Sequence, residues 1–101
     1  NSGGDGVTTN IHYLGIDEGN VIVYYDMDNI PDKLEVFYEG IRLVSTFEVP
    51  GNENGYVGKN NQGGETGRLT FYYKPVNDNY CKIIVSGGND TSWSYTLGCP
   101  K

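Results

Sequence analysis

The chain has 101 residues, which suits a single domain. Its formal net charge is −6 with only seven basic residues, which argues against a nucleic-acid binder because phosphate neutralisation needs clustered Lys and Arg. Aromatic residues make up 13% of the chain, which argues against disorder. No run of about 18 apolar residues occurs, so we expect no membrane span.

Short apolar runs alternate with polar residues at a period of two, a pattern typical of β-strands. The predicted strands cover residues 7–14, 21–25, 33–39, 41–49, 68–74, 80–86 and 92–97. A tight turn is predicted at Glu39-Gly40, after which Ile41, Leu43 and Phe47 share one face. Seven to eight antiparallel strands predict an all-β, jelly-roll-like β-sandwich, with an open barrel as the alternative.

The domain organisation follows from composition. The first six residues read NSGGDG and predict a linker remnant at 1–6, followed by one domain at 7–101. We expect a monomeric module within a longer chain. The stretch 51–67 is polar and rich in Gly, and a loop of this length is typically either functional or poorly ordered. A short edge strand around Tyr56 would divide it into two turns.

Cys81 and Cys99 flank the turn sequence GGND. In a hairpin centred on Asp90, Val85 faces Tyr95 and Cys81 faces Cys99 on one side of the sheet. Opposed Cα atoms in such a pair are about 4.5–5.5 Å apart, within the range of a disulfide. The sequence therefore predicts a Cys81–Cys99 disulfide and an extracellular or secreted location, with free thiols or metal ligands as the alternatives.

Three carboxylates, Asp26, Asp28 and Asp32, lie close together after the second predicted strand. Calcium takes hard oxygen ligands of this kind, so it is the candidate cofactor. The spacing is not that of an EF-hand. The alternative is an ordinary Asp/Asn/Pro turn with solvated charges.

His12 is the only histidine, and a lone histidine in a strand is typical of a structural role. A triad or a pair of catalytic carboxylates needs a cleft, for which a domain of this size leaves little room. We therefore expect no enzyme.

Strand parity predicts outward-facing aromatic side chains at Tyr24, Phe37 and Tyr72. Sugar rings stack on such aromatics, with polar side chains at the edge. The alternative is that these rings cover a second packed surface or form cross-strand pairs.

The long loop is a second candidate site, because Tyr56, Lys59 and Asn61 offer an aromatic ring, a cation and an amide. Loops on a rigid sandwich commonly carry recognition. The alternative is a solvated loop with no ligand.

Three segments carry a family resemblance: IPDKLEVFYEG at 30–40, GRLTFYYKP at 67–75 and TSWSYTLGCP at 91–100. Their order resembles that of ancillary β-sandwich domains of secreted multidomain proteins, including carbohydrate-binding modules, and more distantly the P domains of proprotein convertases and CUB domains. The CUB disulfide pattern is absent because both cysteines are C-terminal, so no family site residue is carried over. The resemblance implies an ancillary role, attaching a larger protein to a target.

Together these features predict a non-catalytic extracellular binding module for a polysaccharide or other glycan, assisted by calcium. The alternative is a structural or protein-interaction domain that stabilises a neighbouring catalytic domain or adhesin.

Overall fold

A computed structural model of the chain describes residues 2–3, 6–27, 32–48, 57, 66–87 and 93–101. The regular structure of these residues is β-strand, apart from one 3-10 turn at Thr46–Glu48. The strands are β1 (Ser2–Gly3), β2 (Gly6–Tyr13), β3 (Gly19–Asp26), β4 (Asp32–Tyr38), β5 (Ile41–Ser45), β6 (Thr66–Tyr73), β7 (Tyr80–Gly87) and β8 (Trp93–Leu97). The predicted all-β class is confirmed.

The strands pair as a nested antiparallel ribbon. β1 pairs with β8, β2 with β7, β3 with β6 and β4 with β5. Two further pairings, β3 with β8 and β4 with β7, join these strand pairs into two four-stranded sheets. Sheet A has the order β1-β8-β3-β6 and sheet B the order β2-β7-β4-β5. This is the strand order of a jelly roll, so the predicted β-sandwich is confirmed.

The core lies between the two sheets and is built by alternate residues of their strands. In β3 the buried side chains are Val21, Val23 and Tyr25, and the residues between them face solvent. Each buried aliphatic side chain of this size stabilises the fold by about 1.5–3 kcal/mol. The other strands contribute Leu34, Val36, Leu69, Phe71, Tyr73, Ile83, Val85, Trp93 and Tyr95 to the same core.

The turn between β4 and β5 is the tight turn that the sequence predicts. Both of its central residues have positive φ, 49° at Glu39 and 81° at Gly40. A two-residue turn of this kind matches the right-handed twist of the strands that it joins. Among the described strands, β4 and β5 are the pair in which consecutive strands lie side by side in one sheet.

The predicted strand over 41–49 is too long, and its predicted face is wrong. β5 ends at Ser45, and a register shift between Val36 and Phe37 changes its side-chain alternation. Val44 is buried as a result, whereas Ile41 is exposed. A bulge inserts one residue into one strand, so strict alternation cannot be read across it.

The predicted hairpin between the last two strands is wrong. β7 pairs with β2 and β4 in sheet B, whereas β8 pairs with β1 and β3 in sheet A. The chain crosses from one sheet to the other between these strands. Turn residues at 87–90 are compatible with such a crossing as well as with a hairpin, so turn chemistry alone did not distinguish the two.

The structure also lacks the predicted Cys81–Cys99 disulfide. Both cysteines are free thiols, Cys81 buried and Cys99 exposed. Cys81 lies opposite His12, whose ring reaches Tyr95. The pairing that the prediction required, Cys81 opposite Cys99 across a hairpin, is absent because β7 and β8 lie in different sheets.

The segment interpreted as a linker remnant contains β1, in which Ser2 pairs with Ser94 and Gly3 with Trp93. At the other end of the chain, Asn20 and Lys101 exchange backbone hydrogen bonds of 2.8 and 3.0 Å. The segment after β8 therefore continues to pair with β3. None of the described residues forms a helix long and apolar enough to cross a membrane.

Candidate functional site

The outer face of sheet A carries two exposed tyrosines on neighbouring strands. Tyr24 of β3 lies between Arg68 of β6 and Thr96 of β8 in the register, and Tyr72 of β6 lies opposite Asn20. About half of each tyrosine side chain is open to solvent, 50% for Tyr24 and 55% for Tyr72. The alternation of β3 and β6 produces this arrangement, because the residues between these positions fill the core.

Polar side chains surround both rings on this face. The pair Ile22–Thr70 separates the two tyrosines, and Ile22 is half-buried. The remaining outward positions of β3, β6 and β8 are Asn20, Asp26, Thr66, Arg68, Thr70, Ser94 and Thr96. We call this surface, centred on Tyr24, Arg68 and Tyr72, the tyrosine face.

The two tyrosines are well separated along the strand direction. Tyr24 pairs with Arg68, which lies four residues from Tyr72. Four residues of a strand span about 13 Å. A ligand that stacks on both rings must therefore be an extended chain that lies along the strands.

The hydroxyl of Tyr72 donates a hydrogen bond to the carboxylate of Glu18, which lies just before β3. This carboxylate raises the pKa of the Tyr72 phenol above its ordinary value of 10.0, because the hydrogen bond favours the protonated form. The contact fixes the position of the Tyr72 ring and presents the ring to solvent.

An open depression of about 510 Å³ lies beside Tyr24, lined also by Thr66, Gly67 and Arg68. Glycine at position 67 is required by packing, since a Cβ atom there would collide with the ring of the buried Tyr25. Arg68 and Thr66 bring a guanidinium group and a hydroxyl group to the same depression as the Tyr24 ring. An aromatic ring with polar groups at its rim is an arrangement that binds polar, ring-shaped ligands.

Phe37 points outward as its parity predicts, but from sheet B. It is half-buried and lies opposite Lys82 of β7 and Arg42 of β5. The structure therefore brings Tyr24 and Tyr72 to one face of the sandwich and Phe37 to the opposite one. These three aromatic rings do not form a single platform.

The loop candidates lie outside the described residues, namely Tyr56, Lys59 and Asn61. Between them, Val57 is described: it is buried and exchanges backbone hydrogen bonds of 2.9 and 3.0 Å with Asp32. A bridge of this kind, one residue from Tyr56, ties the loop to the first residue of β4.

The predicted calcium ligands are divided by the crossing between the sheets. Asp26 ends β3 in sheet A, and Asp32 begins β4 in sheet B, where it is fully buried. Asp28 lies outside the described residues. Among the residues that are described, no group of three or more His, Cys, Asp or Glu side chains could hold a metal ion. Calcium binding by this segment stays a prediction.

Comparison with protein-family models, with curated proteins and with solved structures found no match. The site therefore rests on its own geometry.

Sequence reasoning missed the polar partners of the two tyrosines. Arg68 lies opposite Tyr24 because β3 and β6 pair with this register, although 44 positions separate the residues in the chain. Alternation alone predicts that Arg68, Thr70 and Tyr72 share a face. Identifying Tyr24 as their neighbour requires knowing that β3 pairs with β6.

Proposed function

We propose that this chain is a non-catalytic carbohydrate-binding module that holds an extended glycan along the tyrosine face. The observation that supports the proposal is the presence of two half-exposed tyrosines on the paired strands β3 and β6, with amide, hydroxyl and guanidinium groups around them. The apolar C–H faces of sugars stack on aromatic rings, and their hydroxyl groups bond to polar side chains. The separation of Tyr24 and Tyr72 favours oligosaccharides over monosaccharides.

A secreted setting, as an ancillary module of a larger protein, is part of this proposal. Its support is the type of surface, together with the resemblance of the segments at 30–40, 67–75 and 91–100 to ancillary β-sandwich domains. The cysteines no longer contribute to it, because free thiols carry no information about an oxidising compartment.

A role for calcium in glycan binding is a second part of the proposal. Asp32 is a fully buried acidic residue at the start of β4, and Asp26 and Asp28 precede it by a few positions. In this proposal a calcium ion fixes the crossing between β3 and β4 at the end of the tyrosine face. In this arrangement Asp26 affects glycan binding indirectly, because the ion that it binds holds β3 in position.

Affinity electrophoresis, in gels that each contain one soluble polysaccharide, tests both glycan binding and its dependence on calcium. We expect retardation on at least one polysaccharide, a loss of affinity of roughly tenfold in Tyr24→Ala and in Tyr72→Ala, and weaker retardation with EDTA. Tyr80→Ala is the matched control, because Tyr80 is a similarly exposed tyrosine on sheet B. Retardation lost in Tyr56→Ala but kept in Tyr72→Ala would assign recognition to the loop instead.

A further inference from the structure

The outer face of sheet B differs in chemistry from the tyrosine face. β2, an edge strand of this sheet, has its alternation reversed: Val7, Ile11 and Tyr13 are exposed, at 71%, 66% and 61%. Thr8, Asn10 and His12, which alternate with the outward residues, are polar, turn toward the inside of the sandwich and are half-buried, whereas Thr9 is exposed on the outer face. A solvated face of an antiparallel sheet ordinarily carries the polar residues, so this face has the composition of a covered surface.

The apolar surface continues from β2 onto β7 and β4. Tyr13 packs edge-on against Tyr80, with ring centroids 5.2 Å apart. A groove of about 370 Å³ runs between Ile11, Ile84, Phe37 and Tyr80. We call this surface the β2–β7 face, formed by Val7, Ile11, Tyr13, Phe37, Tyr80 and Ile84.

Lys82 stands in the middle of this apolar groove. In the register its neighbours are Ile11 on β2 and Phe37 on β4. Within the part of the chain that the structure describes, Lys82 forms no ion pair. Arg42 and Glu35, on the neighbouring strands β5 and β4, form an ion pair with each other at 3.1 Å.

The two carboxylates at the end of the groove already accept hydrogen bonds from backbone N–H groups. Glu39 accepts backbone N–H groups of Asn77 and Asp78, at 3.0 and 3.3 Å. Asp78 accepts those of Asn79 and Tyr80, at 2.8 and 3.2 Å. The bonds of Glu39 hold the loop between β6 and β7 against the β4–β5 turn, and those of Asp78 are local to that loop.

A partner that covers this face must neutralise Lys82. Burying an ammonium group among apolar side chains is costly unless an anion pairs with it. A second copy docked face to face about a two-fold axis would bring the two Lys82 side chains toward each other, which is unfavourable. An anionic membrane would meet a chain whose net charge is −6.

We propose that the β2–β7 face docks a polypeptide segment in which an acidic residue is flanked by apolar side chains, with the carboxylate on Lys82 and the apolar groups in the groove beside Ile11, Ile84 and Phe37. This function lies on the opposite side of the sandwich from the tyrosine face and goes beyond glycan binding. It leaves the module able to hold a glycan and a protein at once.

Selection from a random dodecapeptide display library tests this proposal, with the intact chain as target and its Lys82→Glu variant as counter-target. We expect enriched peptides that contain Asp or Glu between apolar residues. Their affinity should fall about thirtyfold or more in Lys82→Glu, the loss expected when a charge pair at an interface is broken. Lys74→Glu is the control, with the same charge change at an exposed position outside the face.

A second measurement keeps the test independent of any one variant. Binding of an enriched peptide should shift the methyl resonances of Ile11 and Ile84 and leave those of the buried Val21 unchanged. Peptides without acidic residues, equal affinity for wild type and Lys82→Glu, or failure to enrich any peptide would overturn the proposal. So would cosedimentation with phosphatidylserine vesicles that Lys82→Glu abolishes, or a dimer in sedimentation velocity that Ile11→Ser dissociates.

Discussion

The imidazole of His12 and the hydroxyl of Tyr95 lie 2.6 Å apart, although His12 belongs to sheet B and Tyr95 to sheet A. Burial raises the pKa of Tyr95, and a hydrogen bond from the side chain of Asn10, two residues along β2, partly opposes this shift. The ring of Tyr95 stacks on Trp93, with centroids 5.9 Å apart. The Tyr95 hydroxyl thus connects the two sheets and is a hydrogen-bond partner of Asn10 and His12, two inward polar residues of β2.

The His12–Tyr95 contact predicts a pH-dependent stability. Burial lowers the pKa of His12 below its ordinary value of 6.5. The unfolded chain therefore binds a proton more readily than the folded chain, and the free energy of unfolding falls as the pH decreases from 6.5 through the lower folded pKa. Above pH 6.5 this contribution is fully present. Urea unfolding between about pH 7.5 and 5.5 measures it.

His12→Gln is the control for this measurement, because it removes the titrating ring and keeps a polar side chain. We expect its free energy of unfolding to be less dependent on pH across the same interval. An identical pH dependence in wild type and His12→Gln would show that other groups cause it.

Tyr95→Phe should destabilise the fold by about 1 kcal/mol through the lost hydrogen bond.

The two cysteines predict unequal thiol reactivity. Burial raises the pKa of Cys81 to about 11, so almost none of it is thiolate at pH 8, whereas Cys99 is exposed. We expect one thiol per chain to react promptly with a disulfide reagent and the second only in denaturant. Cys99→Ser should remove the prompt reaction. If no thiol reacts in denaturant until a reductant is added, the free-thiol structure is contradicted.

The turn between β4 and β5 predicts a specific glycine requirement. Gly40 has φ of 81°, a left-handed conformation that costs a residue with a Cβ atom about 1–2 kcal/mol. Gly40→Ala should lower the melting temperature, by about 4–8 °C per kcal/mol in a domain of this size. Gly98→Ala is the matched control, because a Cβ atom there would make only ordinary contact, 3.5 Å from Ile22. Equal melting temperatures for Gly40→Ala and wild type would contradict the turn geometry.

Much of the fold was predictable because strand alternation is a local property. In β3 and β6, Val23 and Phe71 face the core and Tyr24 and Tyr72 face solvent, as the parity of the sequence requires. The turn at Glu39-Gly40 was equally local, since its conformation depends on two adjacent residues.

What could not be predicted depends on the pairing of distant strands. In a jelly roll the consecutive strands β7 and β8 lie in different sheets, and the residues of their connection do not reveal this. The predicted hairpin therefore placed Cys81 opposite Cys99. Phe37 lies apart from Tyr24 and Tyr72 for a separate reason, because β4 belongs to sheet B whereas β3 and β6 belong to sheet A. The reversed alternation of β2 was hidden for the same reason, because its inward polar residues are satisfied by Tyr95, 83 positions away from His12.

Binding of an extended glycan to the tyrosine face can be followed residue by residue in an NMR titration. The ¹⁵N-labelled chain would be titrated with an oligosaccharide of the polysaccharide that retards it most strongly. If the glycan binds there, we expect chemical-shift changes at Tyr24, Arg68, Tyr72 and Thr96, and none at Ile84 or Tyr80 on the opposite face. Changes confined to Phe37, Tyr80 and Ile84, or no change with any glycan of the panel, would contradict it.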